Sequence, residues 1–402
     1  MSIDKWIKYL IAASLAISQT LLTFTGATAQ DGPPYPDPDW ELVFVESSLE
    51  GNSIAISDIN GKNVRPIGKT YPYLILISLL AISPDGRQIA YRLDGVGLYD
   101  DHIELISNDG TNDHTFLNGS NPSFSPDGKN MVYDLDGWLF IADIAAKKSV
   151  PFRVVPGVEK TMPSWSPDGE HIAFIGYEKE KFKEGGDLYI AAVDANFVIE
   201  IETSVKLYQY SQISWSPDGS QLAFASEDGN LYLYNLTTRE TTNLTNQTGG
   251  SNFSPAWSPD GDWLMYYGTP AEKSDFSGDQ QVHQWLMAHL TGSRIDHLVE
   301  LHLPSAGGQV MINPATRMKS GRDYQVTVLG DYLNLRKEPS TGAEVITMLR
   351  TGETVTPVDG PREADGYRWW QVSVGKTGVI GWLADEPGWL RPVSQNAERK
   401  PE

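Results

Sequence analysis

The tetrapeptide Ser-Pro-Asp-Gly occurs five times, beginning at Ser83, Ser125, Ser166, Ser216 and Ser258. The intervals are 42, 41, 50 and 42 residues. Self-similarity at a period near forty residues marks a repeat architecture, in which each unit buries its apolar faces only against its neighbours. The flanks repeat too. An apolar residue precedes each copy (Ile82, Phe124, Trp165, Trp215, Trp257), and a short apolar strand follows, as in His171-Ile172-Ala173-Phe174 and Gln221-Leu222-Ala223-Phe224. A second strand comes next, as in Trp138-Leu139-Phe140-Ile141-Ala142 and Leu231-Tyr232-Leu233-Tyr234, with the alternation of a strand whose faces differ.

The tetrapeptide has a local physical meaning. Proline presets φ near −65° at the first central position of a turn, aspartate bonds back to the backbone, and glycine admits the conformation that enters the next strand. Each copy therefore closes a hairpin between an inner strand, which carries the preceding apolar residue, and the next strand outward. Asp85, Asp127, Asp168, Asp218 and Asp260 are read as stabilisers of their own turns.

Units of about forty residues with four short strands are propeller blades. The strings Pro163-Ser164-Trp165-Ser166-Pro167-Asp168-Gly169 and Pro255-Ala256-Trp257-Ser258-Pro259-Asp260-Gly261 resemble the WD-like repeats of the TolB propeller family. Ahead of the first tetrapeptide, Leu42-Val43-Phe44-Val45 and Ser53-Ile54-Ala55-Ile56 look like a blade missing its innermost strand. Residues 308–312 are expected to supply that strand and close the ring, which removes exposed sheet edges. The expected fold is all-β, with six blades, seven being the alternative. The longest interval is absorbed by a charged loop at 178–186, and a second long loop runs over 268–281.

A different pattern begins near residue 324. Leu333-Asn334-Leu335-Arg336, Pro339-Ser340, Val345-Ile346, Gly352, Val355, Trp369-Trp370-Gln371-Val372 and Gly381-Trp382-Leu383 describe short strands split by Gly, Pro and Asp. Their order resembles the bacterial SH3-like (SH3b) family, a small β-barrel. The N-terminus carries Lys5 and Lys8, then an apolar stretch, then Ala27-Thr28-Ala29, the order of a cleavable secretory signal. The expected organisation is a signal peptide over 1–29, a linker over 30–40, a propeller over 41–315, a linker over 316–323, the SH3-like domain over 324–393, and a tail over 394–402.

Composition limits the function. Thirty-one basic against 52 acidic residues give a net charge of −21, which disfavours nucleic acid. The chain has no cysteine, so disulfides, thiolate metal sites and cysteine nucleophiles are excluded. No G-x-S-x-G, H-E-x-x-H, P-loop or G-x-G-x-x-G string occurs. His283, His289, His297 and His302 lack the short fixed spacing of a zinc site. No cofactor is expected, although the repeated aspartates leave room for a Ca2+ ion in the propeller channel.

The two resemblances imply an exported, non-catalytic binding or scaffold protein of the periplasm or cell envelope, with no membrane span in the mature chain. The propeller is expected to recognise a protein or peptide partner, and the SH3-like domain to attach to peptidoglycan or other envelope material; the chain is expected to be a monomer. The alternatives are a polysaccharide- or peptide-processing enzyme with its site in the channel, or a glycan-binding module. Candidate binding residues are Asn121, Met162, Gln212 and Ser254 at a propeller mouth, and Trp369, Trp370, Trp382 and Trp389 in the SH3-like domain, where indoles offer faces for stacking.

Overall fold

Five corners set the architecture. In the computed structural model, each Ser-Pro-Asp-Gly serine donates to the aspartate Oδ1 at 2.5–2.6 Å. That same oxygen accepts the backbone N–H two residues further on, at 2.9–3.1 Å. The serine Oγ accepts the N–H that opens the next strand, at 2.9 Å in all five. The corner glycine takes a positive φ, 81° at Gly169, that other L residues adopt only with strain. A side-chain carbon there would also come within 3.2 Å of Pro126 in the preceding blade. Gly219 and Gly261 meet Pro167 and Pro217 in the same way, so each proline rests on the next corner round the ring.

The structure describes residues 36–394 apart from 49, 73–74, 96–100, 153, 195–197, 202, 204, 209, 247–251, 269–283, 302, 304–305 and 315–316. The expected signal peptide, most of the first linker, most of the tail and most of the second long loop lie outside the described residues. Within them are six four-stranded antiparallel sheets. Blade 1 combines Ala306–Ile312 with the three strands of 41–71; blades 2 to 6 span 75–118, 120–152, 159–201, 214–243 and 253–301. The fold is a six-bladed propeller.

Ring closure is a split corner. Ala306–Ile312 pairs with Glu41–Ser48 so that Ile312 faces Leu42, the register that sets Ile82 against Ile89 and Trp165 against Ile172. Asn313 N donates to Glu41 O at 2.9 Å, as Ser83 N does to Gln88 O. Asn313-Pro314 thus occupies the place of Ser-Pro, and Glu41 the place five residues on. Phe44, Val310 and Ile312 then join one buried cluster with Met265 and Trp285 of blade 6.

The C-terminal region is a seven-stranded SH3-like barrel with Val345–Leu349 and Leu390–Pro392 at its edges. Leu335, Val355, Val372 and Leu383 are fully enclosed in its core. The described part of the expected second linker is fastened to the barrel. Met318 enters the core, its N–H bonds Asp385 Oδ2 at 3.1 Å, and Lys319 N bonds the Tyr324 hydroxyl at 2.8 Å. From Pro36 onward the chain forms one compact unit. The barrel is seated on the corner side of the ring. Arg322 reaches Asp260 at 2.9 Å and Asp262 at 3.5 Å, Arg87 pairs with Glu386 at 3.0 Å, and Gly388 lies against the Pro84 carbonyl.

Candidate functional site

Inner strands of a propeller converge on an axis, and each has a corner end and an open end. The six residues that end the inner strands at the corners (Ile82, Phe124, Trp165, Trp215, Trp257 and Ile312) all line one cavity of about 480 Å³. The six corner prolines line it as well, Pro314 completing the set begun by Pro84. From the barrel side Val326, Val328 and Leu390 line it together with Gln325, Thr327, Thr351 and Arg391, so the barrel stands over the corner mouth. Hydrogen bonds pass round the ring at this level: Trp165 N to Ser123 Oγ (3.0 Å), Trp215 Nε1 to Ser164 O (3.1 Å) and Trp257 N to Ser214 Oγ (3.3 Å).

The opposite rim is formed where second strands turn into third strands and where blades connect. Trp138 follows the tight turn Asp136-Gly137 and is 54% exposed, and Tyr210, ahead of blade 5, is 56% exposed. Lys160 Nζ lies 4.9 Å from the Trp138 ring centre and donates to Val158 O. Glu159 faces Tyr177 across its hairpin and pairs with Lys179 at 3.1 Å. Tyr208 makes an edge contact with Tyr210 at 5.6 Å and packs on Phe253 of blade 6 at 5.5 Å. Aromatic side chains are therefore set along this rim from blade 3 to blade 6. The loop at 178–186, which contains a 3-10 turn over Lys179–Glu184, stands at the same end.

Sequence reasoning missed Trp138 and Tyr210 as candidates; the only available signal was a tryptophan directly after an Asp-Gly turn, where an inward-facing residue is unusual. The four residues expected at a mouth, each three residues before its corner aromatic, differ in setting. Asn121 and Met162 are buried, Ser254 is half-buried, and all three have positive φ at a bulge in the inner strand. The bulge turns two of them inward to one carboxyl. Asn121 Nδ2 donates to Asp134 Oδ1 at 2.5 Å and to Thr161 Oγ1 of blade 4 at 3.2 Å, and Met162 N–H also bonds Asp134. Burial pushes Asp134 up to about 7, against the pull of these donors. Gln212 lines the corner cavity.

The barrel tryptophans mostly fill the interior. Trp369 is enclosed, with its indole N–H on Ala364 O at 2.9 Å, and Trp370 sits in the core. Trp382 is buried under the Arg362 guanidinium at 4.4 Å, and Trp389 is half-buried at the core edge. Asp85, Asp127, Asp168, Asp218 and Asp260 each commit Oδ1 to their own corner, in five different blades. His289 and His297 face each other across adjacent outer strands of blade 6, with His289 Nδ1 2.6 Å from Asp296; His283 and His302 lie outside the described residues.

Residues 139–299 match the family described as TolB beta propeller domain, and residues 331–387 match the bacterial SH3 domain. Among solved structures, TolB from Acinetobacter baumannii aligns with a TM-score of 0.53 at 16% identity, covering 69% of this chain and 67% of that one. A chain of a nidogen/laminin complex aligns at 0.51 and 10% identity, covering 68% and 98%. At these identities the likeness is one of fold. A curated relative, serine/threonine-protein kinase D of Synechocystis sp. (strain ATCC 27184 / PCC 6803 / Kazusa), is 32% identical over 78 residues, 19% of this chain. The match spans only 15% of that relative's length. Among the described residues no helix is long and apolar enough to cross a membrane.

Proposed function

We propose that this TolB-type propeller, with a bacterial SH3-like barrel over one mouth, is an exported, non-catalytic binding protein of the cell envelope. On this reading the propeller holds a protein or peptide partner on its open rim, and the barrel attaches to cell-wall or other envelope material. The observation that carries the reading is the aromatic rim. Trp138 and Tyr210 are more than half exposed at the end the barrel does not cover, with Glu159, Lys160 and Lys179 beside them. Large amphipathic rings bury much area at low entropic cost, and Trp and Tyr dominate binding hot spots. A rigid ring also presents its loops without ordering them at the moment of binding.

The test is capture of partners from envelope extract by the full chain, compared with Trp138→Ala and Tyr210→Ser. Each substitution is expected to weaken the captured complex by tenfold or more, because a hot-spot truncation costs about 2 kcal/mol or more. Capture that survives both changes removes the open rim from the reading. Sedimentation with purified peptidoglycan tests the barrel separately, and a chain that stays in the supernatant removes the cell-wall attachment.

A further inference from the structure

The cavity beneath the barrel lies at the opposite end of the ring from the rim just described and has a chemistry of its own. Protein interiors are packed as densely as organic crystals, and an apolar gap between two bodies forfeits the contacts its lining would make. Here propeller and barrel do not meet side chain to side chain over the axis. They border about 480 Å³, partly open to solvent and within the range of small-molecule sites, which favour domain interfaces and mostly apolar walls. Six-fold recurrence of the lining makes the space a consequence of the ring itself.

The polar groups also point to a ligand type. The Trp165 and Trp215 indole N–H groups are taken by Gly169 O and Ser164 O, so these rings offer the cavity carbon, and the buried Trp257 Nε1 is left as one donor without an acceptor among the described residues. Arg391 bonds Gln325 and has Asp218 as its electrostatic partner, so its charge is compensated. Three further contacts that hold the barrel lie outside the cavity lining: Arg322 with Asp260, Arg87 with Glu386, and Ser394 with Asp262. A mainly apolar lining with these contacts outside it is the form of a covered pocket.

We propose that this cavity binds a neutral, mainly apolar organic molecule, and that the SH3-like barrel is its lid. The test uses the full chain and Nile red, a neutral dye whose emission rises in apolar surroundings. Saturable one-to-one binding is expected. Val328→Trp, from the barrel, and Gln212→Trp, from the propeller, each place an indole in the cavity and are expected to weaken the dye at least tenfold while the melting temperature is kept. With two fillers from different bodies, one folded variant suffices.

The absence of cysteine makes the lid testable. Arg87→Cys with Glu386→Cys, joined by a short bismaleimide, is expected to slow dye entry tenfold or more, while the unjoined pair behaves as the parent. Dye that does not saturate, or binds equally to both filled variants, overturns the site. Dye lost with Trp138→Ala but kept with Val328→Trp places binding on the open rim and overturns it too. Entry unaffected by the cross-link overturns the lid.

Discussion

Asp134 shows what a single residue does in this ring. It accepts from the Asn121 amide and the Met162 N–H, and Asn121 reaches on to Thr161, so one carboxyl ties blade 3 to blade 4. Burial holds it near 7, well above its ordinary 3.8. A carboxyl raised on folding contributes stability while it stays protonated. That contribution is complete below about pH 4 and is lost as pH rises through about 7. Asp134→Asn keeps an acceptor and removes the charge. The variant is expected to melt higher than the parent at pH 8, by up to about 4 kcal/mol in stability, and to lose that advantage by pH 4. Thermal melts of both proteins across this range check the sign; an advantage that grows toward low pH would refute the buried-carboxyl account. None of this was legible in sequence, because Asn121, Asp134 and Thr161 meet only through strand register and blade contact.

At the scale of elements, the ring depends on the strand Ala306–Ile312 returning to Glu41–Ser48 across most of the chain. Val310 is enclosed between Phe44 and the residues of blade 6, so a charge there is buried with no counter-ion. Val310→Glu is expected to cost about 3–5 kcal/mol and to expose 41–58 first to protease. Val150→Glu, on an outer strand where the side chain is 61% exposed, should stay within about 0.5 kcal/mol. Urea titration with proteolytic mapping distinguishes a seam that opens from general weakening. Five hairpin corners, six blades and the closing strand were legible, because a corner's hydrogen bonds lie within five residues and leave a string of four. The sixth corner was not. Its serine and aspartate are gone, and its parts, Asn313-Pro314 and Glu41, are joined only in space. The inner-strand bulges were hidden as well, since Asn121, Met162 and Ser254 share a backbone angle and no side-chain chemistry.

Across the whole molecule, the junction between propeller and barrel turns on Arg322. Its guanidinium is mostly buried against Asp260 and Asp262, themselves nearly inaccessible, and Ser394 bonds Asp262 from the end of the barrel. Burial raises Asp260, and the Arg322 charge works against that rise. Sequence could not show this pairing. Asp260 reads as one of five equivalent corner residues, and nothing in the repeat says that its Oδ2 meets a barrel-side arginine while its Oδ1 holds the turn. Arg322→Met keeps the stem's packing and removes the charge, leaving two carboxylates buried side by side. Breaking a buried pair in this way costs about 3–5 kcal/mol near neutral pH. The cost should shrink on acidification, because Asp260 without its arginine is held still higher and takes up a proton readily, and a neutral carboxyl needs no counter-ion. The expected outcome is therefore a barrel that separates from the ring at pH 7.5 and separates less at a lower pH. Protease cleavage between residues 313 and 324, with each fragment still folded, reads the separation. Cleavage that is equal at both pH values would show that Asp260 and Asp262 do not depend on Arg322 to stay buried.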